Sequence, residues 1–348
     1  MKYLRLILLV ILPVVLQSCS TELDVNAPYR ETKVVYGILD PTLPFQTFRI
    51  GKGFLSEGRS AYDIAKNSPD SSLFNPGNLS VVLYEMKLVA SGRFDTIQKV
   101  QLFPDTISTK VTGGDFFAPD QLVFRTPLMQ LDTVTPANLV KYRLLIRNKI
   151  SGNTSEAFTR IPGKDLTVRN WAAIGATDRG PFSLDFGSRK KTSININKTV
   201  NTEVVQLTLN WKIQVITTSA DTIIETWRQS SGLENDIQGD QKEIIFGPGS
   251  FWNFIASELN KRGSANVVSR KFLPGQMEVY AGNEDYDNYR LVNGNYNAIT
   301  QSQPVYSNIS NGALGIFCAR NRRTYSVALD RNIPDTLRAR FPELKLIK

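Results

Sequence analysis

The residues with the most definite chemistry stand at the start of the chain. Leu16, Gln17, Ser18 and Cys19 close an apolar run over residues 6–16, which Lys2 and Arg5 precede. A basic start, a short apolar core and a small residue before the cut are the three parts of a secretory signal. That core is too short to cross a bilayer, which takes about 20 apolar residues. The leucine, tolerant, small, cysteine order predicts cleavage after Ser18 and transfer of a diacylglyceryl group to the Cys19 thiol. Each buried methylene of an acyl chain adds about 0.8 kcal/mol, so several chains on one residue anchor stably. The expectation is a body tethered to a membrane by lipid, with residues 1–18 as a lipoprotein signal peptide.

Little else in the chain can do covalent chemistry. There is no histidine, which removes His-based triads, Cys–His pairs and most zinc sites. The second cysteine, Cys318, lies in the apolar stretch "ALGIFCAR". It reads as a small core residue, because a reactive thiol needs a base or electropositive neighbours. With Cys19 acylated, Cys318 has no disulfide partner. The stretch "NEDYDNY" at 283–289 alternates Asp285 and Asp287 but lacks the glycine and distal glutamate of a calcium loop. A solvated turn opening a short helix is expected there, and no metal. No phosphate loop, dinucleotide fingerprint or nucleophile elbow occurs. The reading is of a non-enzymatic protein without cofactor. A pair of carboxylates acting on glycosides leaves no spacing signal, so an exported hydrolase stays as the third of three readings.

The charge is +9 from 41 basic and 32 acidic residues. It is spread thinly, with its densest clusters at 320–323 and 188–191. Neither is interleaved with aromatics in the manner of a nucleic-acid surface, so no nucleic-acid partner is expected. The simpler reading of this excess is a solvated face, with attraction to anionic lipid or lipopolysaccharide phosphates as the alternative. Trp171, Trp211, Trp227 and Trp252 could stack on sugars, though most are expected in the core.

These residues need a scaffold, and the pattern around them is that of a mainly β chain. Polar, aperiodic residues 19–32 read as a tether. From residue 33, runs at 33–40, 46–55, 79–86, 99–103, 121–126, 140–148 and 155–162 are rich in β-branched and aromatic residues, several alternating with period two. Seven short strands in about 130 residues suit an antiparallel sandwich, so residues 33–162 are expected to form an immunoglobulin- or fibronectin-like β-sandwich. A short helix is expected in the insertion at 58–70. Residues 163–348 read as a second β-rich, sandwich-like domain, with strands at 166–170, 182–187, 202–218, 222–229, 276–282 and 312–329. It also carries one amphipathic helix at about 250–262, capped by Ser250 and ended by Gly263 with Trp252, Ile255 and Leu259 as its stripe, and a short terminal helix at 334–344.

Two blocks carry a resemblance. "VVYGILDPTLPFQTFRIGKGFLSEGRSAYDIAKNSPDSSLF" (34–74), and "MEVYAGNEDYDNYRLVN" followed by "QPVYSNISNGALGIFCAR" (277–320), are similar to blocks in a group of Bacteroidetes outer-membrane lipoproteins with immunoglobulin-like folds. Their motifs are structural: Asn308, Asn311, Gly312 and Gly315 look like turn and edge residues. The resemblance implies an outer-membrane location and a role in binding or envelope assembly, with no catalytic residue carried over.

Taken together, these features predict a lipid-anchored outer-membrane protein that binds a partner protein in an envelope complex, through end loops of its sandwiches. Tyr62 in the insertion and Tyr286 with Tyr289 in the 283–312 segment are the candidate partner-binding residues. The second reading is a surface glycan-binding accessory of a TonB-dependent uptake system.

Overall fold

The computed structural model describes residues 31–53, 72–107, 120–168, 182–186, 192–234, 241–247, 249–294 and 306–347. In its first half the strands are β1 (Lys33–Leu39), β2 (Thr47–Lys52), β3 (Leu79–Leu88), β4 (Phe94–Gln101), β5 (Phe103–Ile107), β6 (Gln121–Arg125), β7 (Val140–Asn148) and β8 (Thr154–Thr159). The single strand expected at 99–103 is the junction of two. Leu102, buried and donating its N–H to the Val81 carbonyl, turns the chain from one sheet into the other. β4 joins the order β4-β3-β7-β8, while β5 joins the order β5-β6-β2-β1. The two sheets enclose a core that includes Val35, Phe48, Leu83, Leu144 and Ile146.

Tyr142 fixes one corner of this sandwich. Its hydroxyl accepts from the Asp132 N–H at 2.7 Å and donates to the Asp132 carbonyl at 3.0 Å. A tyrosine reaching back to the backbone upstream of its own strand is a recurrent device of immunoglobulin-type sandwiches. It satisfies two main-chain groups at a place where no ladder can.

The second half contains β9 (Thr167–Val168), β10 (Phe182–Leu184), β11 (Thr192–Asn197), β12 (Val204–Thr217), β13 (Thr222–Glu234), β14 (Gln241–Phe246), β15 (Val267–Gly282) and β16 (Leu314–Leu329). Its helices are α1 (Ser250–Arg262), α2 (Glu284–Gly294) and α3 (Ile333–Arg340). The expected β12–β13 hairpin forms, with Trp211 opposite Trp227 and both fully buried. β15 begins nine residues before the expected start. Pro274 and Gly275 sit where its register against β12 shifts between Asn210 and Lys212. A Cβ on Gly275 would lie 2.5 Å from the Asn210 carbonyl, so the bulge requires glycine. β11 and β14 are unanticipated; both are short, and with β9 they form a three-stranded sheet over this core. α1 covers the same core with Phe251, Trp252, Ile255 and Leu259. Ser250 does not cap it: the cap is Gly249, and the Ser250 hydroxyl donates instead to the Gly247 carbonyl at 2.8 Å, closing the preceding glycine turn. Gly263 ends it as expected, at φ 67°.

β16 joins the halves. Residues 314–319 pair in parallel with β1, and residues 320–327 pair antiparallel with β15. One long sheet therefore runs β13-β12-β15-β16-β1-β2-β6-β5. Phe317 and Ala319 point into the first core, and Tyr325 and Val327, of the same parity, into the second. Between them Asn321 donates to the Pro162 and Gly163 carbonyls, pinning the linker. Residues 33–162 thus do not close the first sandwich alone: Ile309, Ala313, Phe317 and Ala319 complete its core. The molecule is mainly β and sandwich-type, with both cores on one face of the long sheet.

Candidate functional site

The other face of the long sheet is open and polar, and α2 lies across it. The even-numbered residues of β16 point this way, together with Tyr36 and Ile38 of β1, Gln206 and Asn210 of β12, and Glu278 and Tyr280 of β15. Glu278 is the hub of one hydrogen-bonded group. It accepts from Asn210 Nδ2 at 2.9 Å and from the Tyr280 hydroxyl at 3.0 Å, and pairs with Arg322 at 3.2 Å. Beside it Arg320 pairs with the buried Asp40 at 2.9 Å and lies over the Tyr280 ring. Burial, then the Glu278 carboxylate, pushes the Tyr280 phenol up.

Two asparagines build the seat of α2. β15 leaves β16 at Gly282, which would strand the backbone of residues 317–319. Asn283 replaces it, donating its N–H to the Ala319 carbonyl at 3.2 Å and accepting the Ala319 N–H on Oδ1 at 3.2 Å. The same Oδ1 accepts the Tyr286 N–H, so Asn283 also caps α2. Asn308 then serves Phe317, with Nδ2 to its carbonyl at 2.7 Å and Oδ1 from its N–H at 2.9 Å. The amide side chains mimic the missing strand. Asn311 and Gly312, at φ 59° and 69°, make the following turn, so these motif residues do act as turn and edge residues.

Under α2 the chemistry is inert. Cys318 is fully buried, and burial, then the charge of Asp285, pushes its thiol up; a thiol held protonated is no nucleophile. Asp285 is not the solvated turn residue expected. Its carboxylate accepts from the Tyr306 hydroxyl at 2.9 Å and from Asn283, and burial raises it. Tyr306 is pushed up to about 12, by burial first and then by Asp285. Glu85, pushed up to about 6 by burial and then by Asp132, faces the end of the first core beside Tyr142, not a cleft. Among the described residues no three His, Cys, Asp or Glu side chains gather as a metal site. The arrangement suits hydrogen bonding and stacking.

Two hollows flank the start of α2. One of about 60 Å³ is lined by Gln206, Arg228, Tyr280, Tyr286 and Arg320. The other, about 300 Å³, is lined by Lys141, Phe158, Arg160, Asn201, Asn283 and Asp285 and lies between the sandwiches. In it Lys141 sits over the Phe94 and Phe158 rings at 4.1 and 4.9 Å, and burial, then Arg160, lowers its affinity for its proton.

No family model and no curated protein sequence matches the chain. Among solved structures, the C-terminal globular domain of an oligosaccharyltransferase from Pyrococcus abyssi is similar at 7% identity, over 88% of this chain and 52% of that one, with a TM-score of 0.23. The CFA/I enterotoxigenic E. coli adhesin CfaE, in a mutant form, is similar at 8% identity over 87% and 96%, with a TM-score of 0.16. The chain spans about half the length of the first. At such scores neither likeness bears on function.

The structure brings two of the sequence-derived residues together. Tyr286 packs into the seam against Gly282, where an added Cβ would lie 2.6 Å from its ring. Tyr289 meets Tyr36 edge-on, ring centroids 6.5 Å apart. Burial raises both phenols. Tyr62, Ser18, Cys19, residues 19–30 of the tether, the helix at 58–70 and Trp171 lie outside the described residues. Trp211, Trp227 and Trp252 are core. Sequence reading missed Tyr36, Asp40, Glu278, Tyr280 and Arg320. The alternation of β1 and β15 could have placed Tyr36 and Tyr280 on outward faces, but nothing in sequence pairs those strands with β16. No helix among the described residues is long and apolar enough to cross a membrane.

Proposed function

We propose that the chain is a lipid-anchored outer-membrane protein without enzymatic activity, which binds a partner protein in an envelope complex through the open face of its long sheet. The observation that carries this reading is the sharing of β16. A 16-residue strand, about 50 Å long, runs through both sandwiches and makes them one stiff body. A tether on Glu31 would attach at one end of that body. The face bearing Tyr36, Tyr289, Tyr280 and Arg320 would then stand clear for a partner, with the aromatic and arginine content that interface cores favour. Membrane fractionation tests the anchor: the wild-type chain should sediment with outer membranes, and Cys19→Ala should not.

The glycan-binding reading is the second, favoured by the hollow of about 300 Å³ with amides, cations and the Phe158 ring, a size and lining that fit a sugar unit. Retention on polysaccharide columns that is lost in Phe158→Ala would support it. Substituting Trp211, Trp227 or Trp252 would test the core instead.

A further inference from the structure

The point where the tether joins the body distinguishes one end of it. Glu31 is the first described residue. Its carboxylate accepts from Asn148 Nδ2 at 2.8 Å and from Ser151 Oγ at 3.2 Å, and lies 3.3 Å from Nζ of the buried Lys33. Asn148 and Ser151 flank the β7–β8 turn, whose tip is Lys149 and Ile150. Ile150 is 76% exposed, yet its backbone is held: Asn148 Oδ1 accepts its N–H at 2.9 Å. Lys149 donates its N–H to the Asn78 carbonyl and its Nζ to the Gly77 carbonyl. Leu314, 42% exposed, stands at the same end, beside Val34. Lys33 is buried in its pair with Glu31, while Lys52, opposite Lys33 on β2, and Arg147 and Lys149 beside Asn148 are the cations at this end that reach solvent.

We infer that this end is a docking surface for the anionic lipid surface that carries the acyl anchor, with Ile150 and Leu314 entering the interfacial layer and the surrounding cations meeting lipid phosphates. The inference rests on the lipid-anchored reading and adds an orientation to it. The length of chain ahead of Glu31 favours this occupant over any other. Residues 19–30 can span at most about 43 Å. From Leu314 along β16 to Arg320, and on along β15 to Val267, the body extends about 70 Å. The Glu31 end is therefore held within about 43 Å of the bilayer, and the turn between β12 and β13 lies beyond that reach when the body stands upright. An apolar tip on a rigid turn ringed by cations is the chemistry that an anionic interface recognises.

The test uses the acylated full-length protein reconstituted into vesicles of phosphatidylethanolamine and phosphatidylglycerol. Ile150→Cys is labelled with a polarity-sensitive dye, and Ile224→Cys, on the far part of β13, serves as the control; Cys318 is buried and stays unlabelled. A blue-shifted Ile150→Cys probe quenched by lipid-borne nitroxide, beside an Ile224→Cys probe that stays water-like, supports the inference. A water-like Ile150→Cys probe overturns it, as does quenching at Ile224→Cys, which would mean that the body lies flat. The mass of the N-terminal peptide separates the two layers of the argument. Acyl mass on Cys19 with an unquenched Ile150→Cys probe defeats the docking alone, whereas its absence defeats the anchor and the docking with it.

Discussion

Asp40 and Arg320, 280 positions apart in sequence, meet as an ion pair at 2.9 Å in which the carboxylate is 1% exposed. The pair ties the end of β1 to the middle of β16, where the two sandwiches join. Removing Arg320 leaves a buried carboxylate held by the Thr42 hydroxyl and N–H, with Arg322 nearby through its own bond to Thr42. A fully buried pair broken this way costs 3–5 kcal/mol and an exposed pair less than 1. Arg320 is partly exposed, so Arg320→Ala should destabilise by about 2 kcal/mol. Urea midpoints of the variant and the wild type read this directly.

Gly315 has φ 107°, and a Cβ on it would lie 1.9 Å from the Val35 carbonyl, with Val35 the partner of Gly315 in the parallel pair. Gly315→Ala should therefore separate β1 from β16 and cost more than about 3 kcal/mol. Gly92 also has positive φ but open space around it, so Gly92→Ala should cost only about 1 kcal/mol. Equal losses in thermal melts would contradict the close approach.

Glu85 titrates at about 6 in the fold against an ordinary 4.5. The folded state then holds the proton more tightly than the unfolded chain. Its contribution to stability is greatest below pH 4.5, declines between pH 4.5 and 6, and is constant above. The difference corresponds to about 2 kcal/mol. Glu85→Gln should thus stabilise by up to about 2 kcal/mol at pH 7 and by almost nothing at pH 4. A gain that does not change between pH 4 and pH 7 would show that folding does not raise the Glu85 carboxyl.

Tyr289 and Tyr36 touch each other on the open face, so each can be removed at small structural cost, about 1 kcal/mol for the edge-on pair. Tyr289→Ala, alone and with Tyr36→Ala, should lower partner recovery by about tenfold or more if they anchor the interface. Tyr286 is a poorer reporter, because it also fills the seam beside Gly282. Unchanged recovery in both variants would move the partner off this face.

The parts of this fold that read from sequence are those whose signals are local. Alternation in 140–148 and 204–217 marks β7 and β12 because each buries one face against a core next to it in the chain. The stripe of Trp252, Ile255 and Leu259 marks α1 for the same reason. Asn311 and Gly312 reveal a turn because positive φ restricts residue choice. What stayed hidden depends on distant partners. β16 looks like one more apolar strand, and nothing in "GALGIFCAR" says that half of it completes a sandwich begun at residue 33. β4 and β5 read as one strand because the chain changes sheets at a single buried leucine. The site suffers most: Asp40, Glu278 and Arg320 are ordinary charged residues until the parallel pairing of β1 with β16 brings them together. Asn283, read as part of a solvated turn, takes its role from the exact point at which β15 ends.

The most direct measurement is a co-purification. The C-terminus is tagged after Lys348, outer membranes are gently solubilised, and stoichiometric partners are identified by mass spectrometry for the wild type, for Cys19→Ala and for the Tyr36 and Tyr289 double variant. The account predicts one recurring outer-membrane protein with the wild type, lost in both variants. Recovery of the wild-type protein alone, or of the same partner with the double variant, would contradict it.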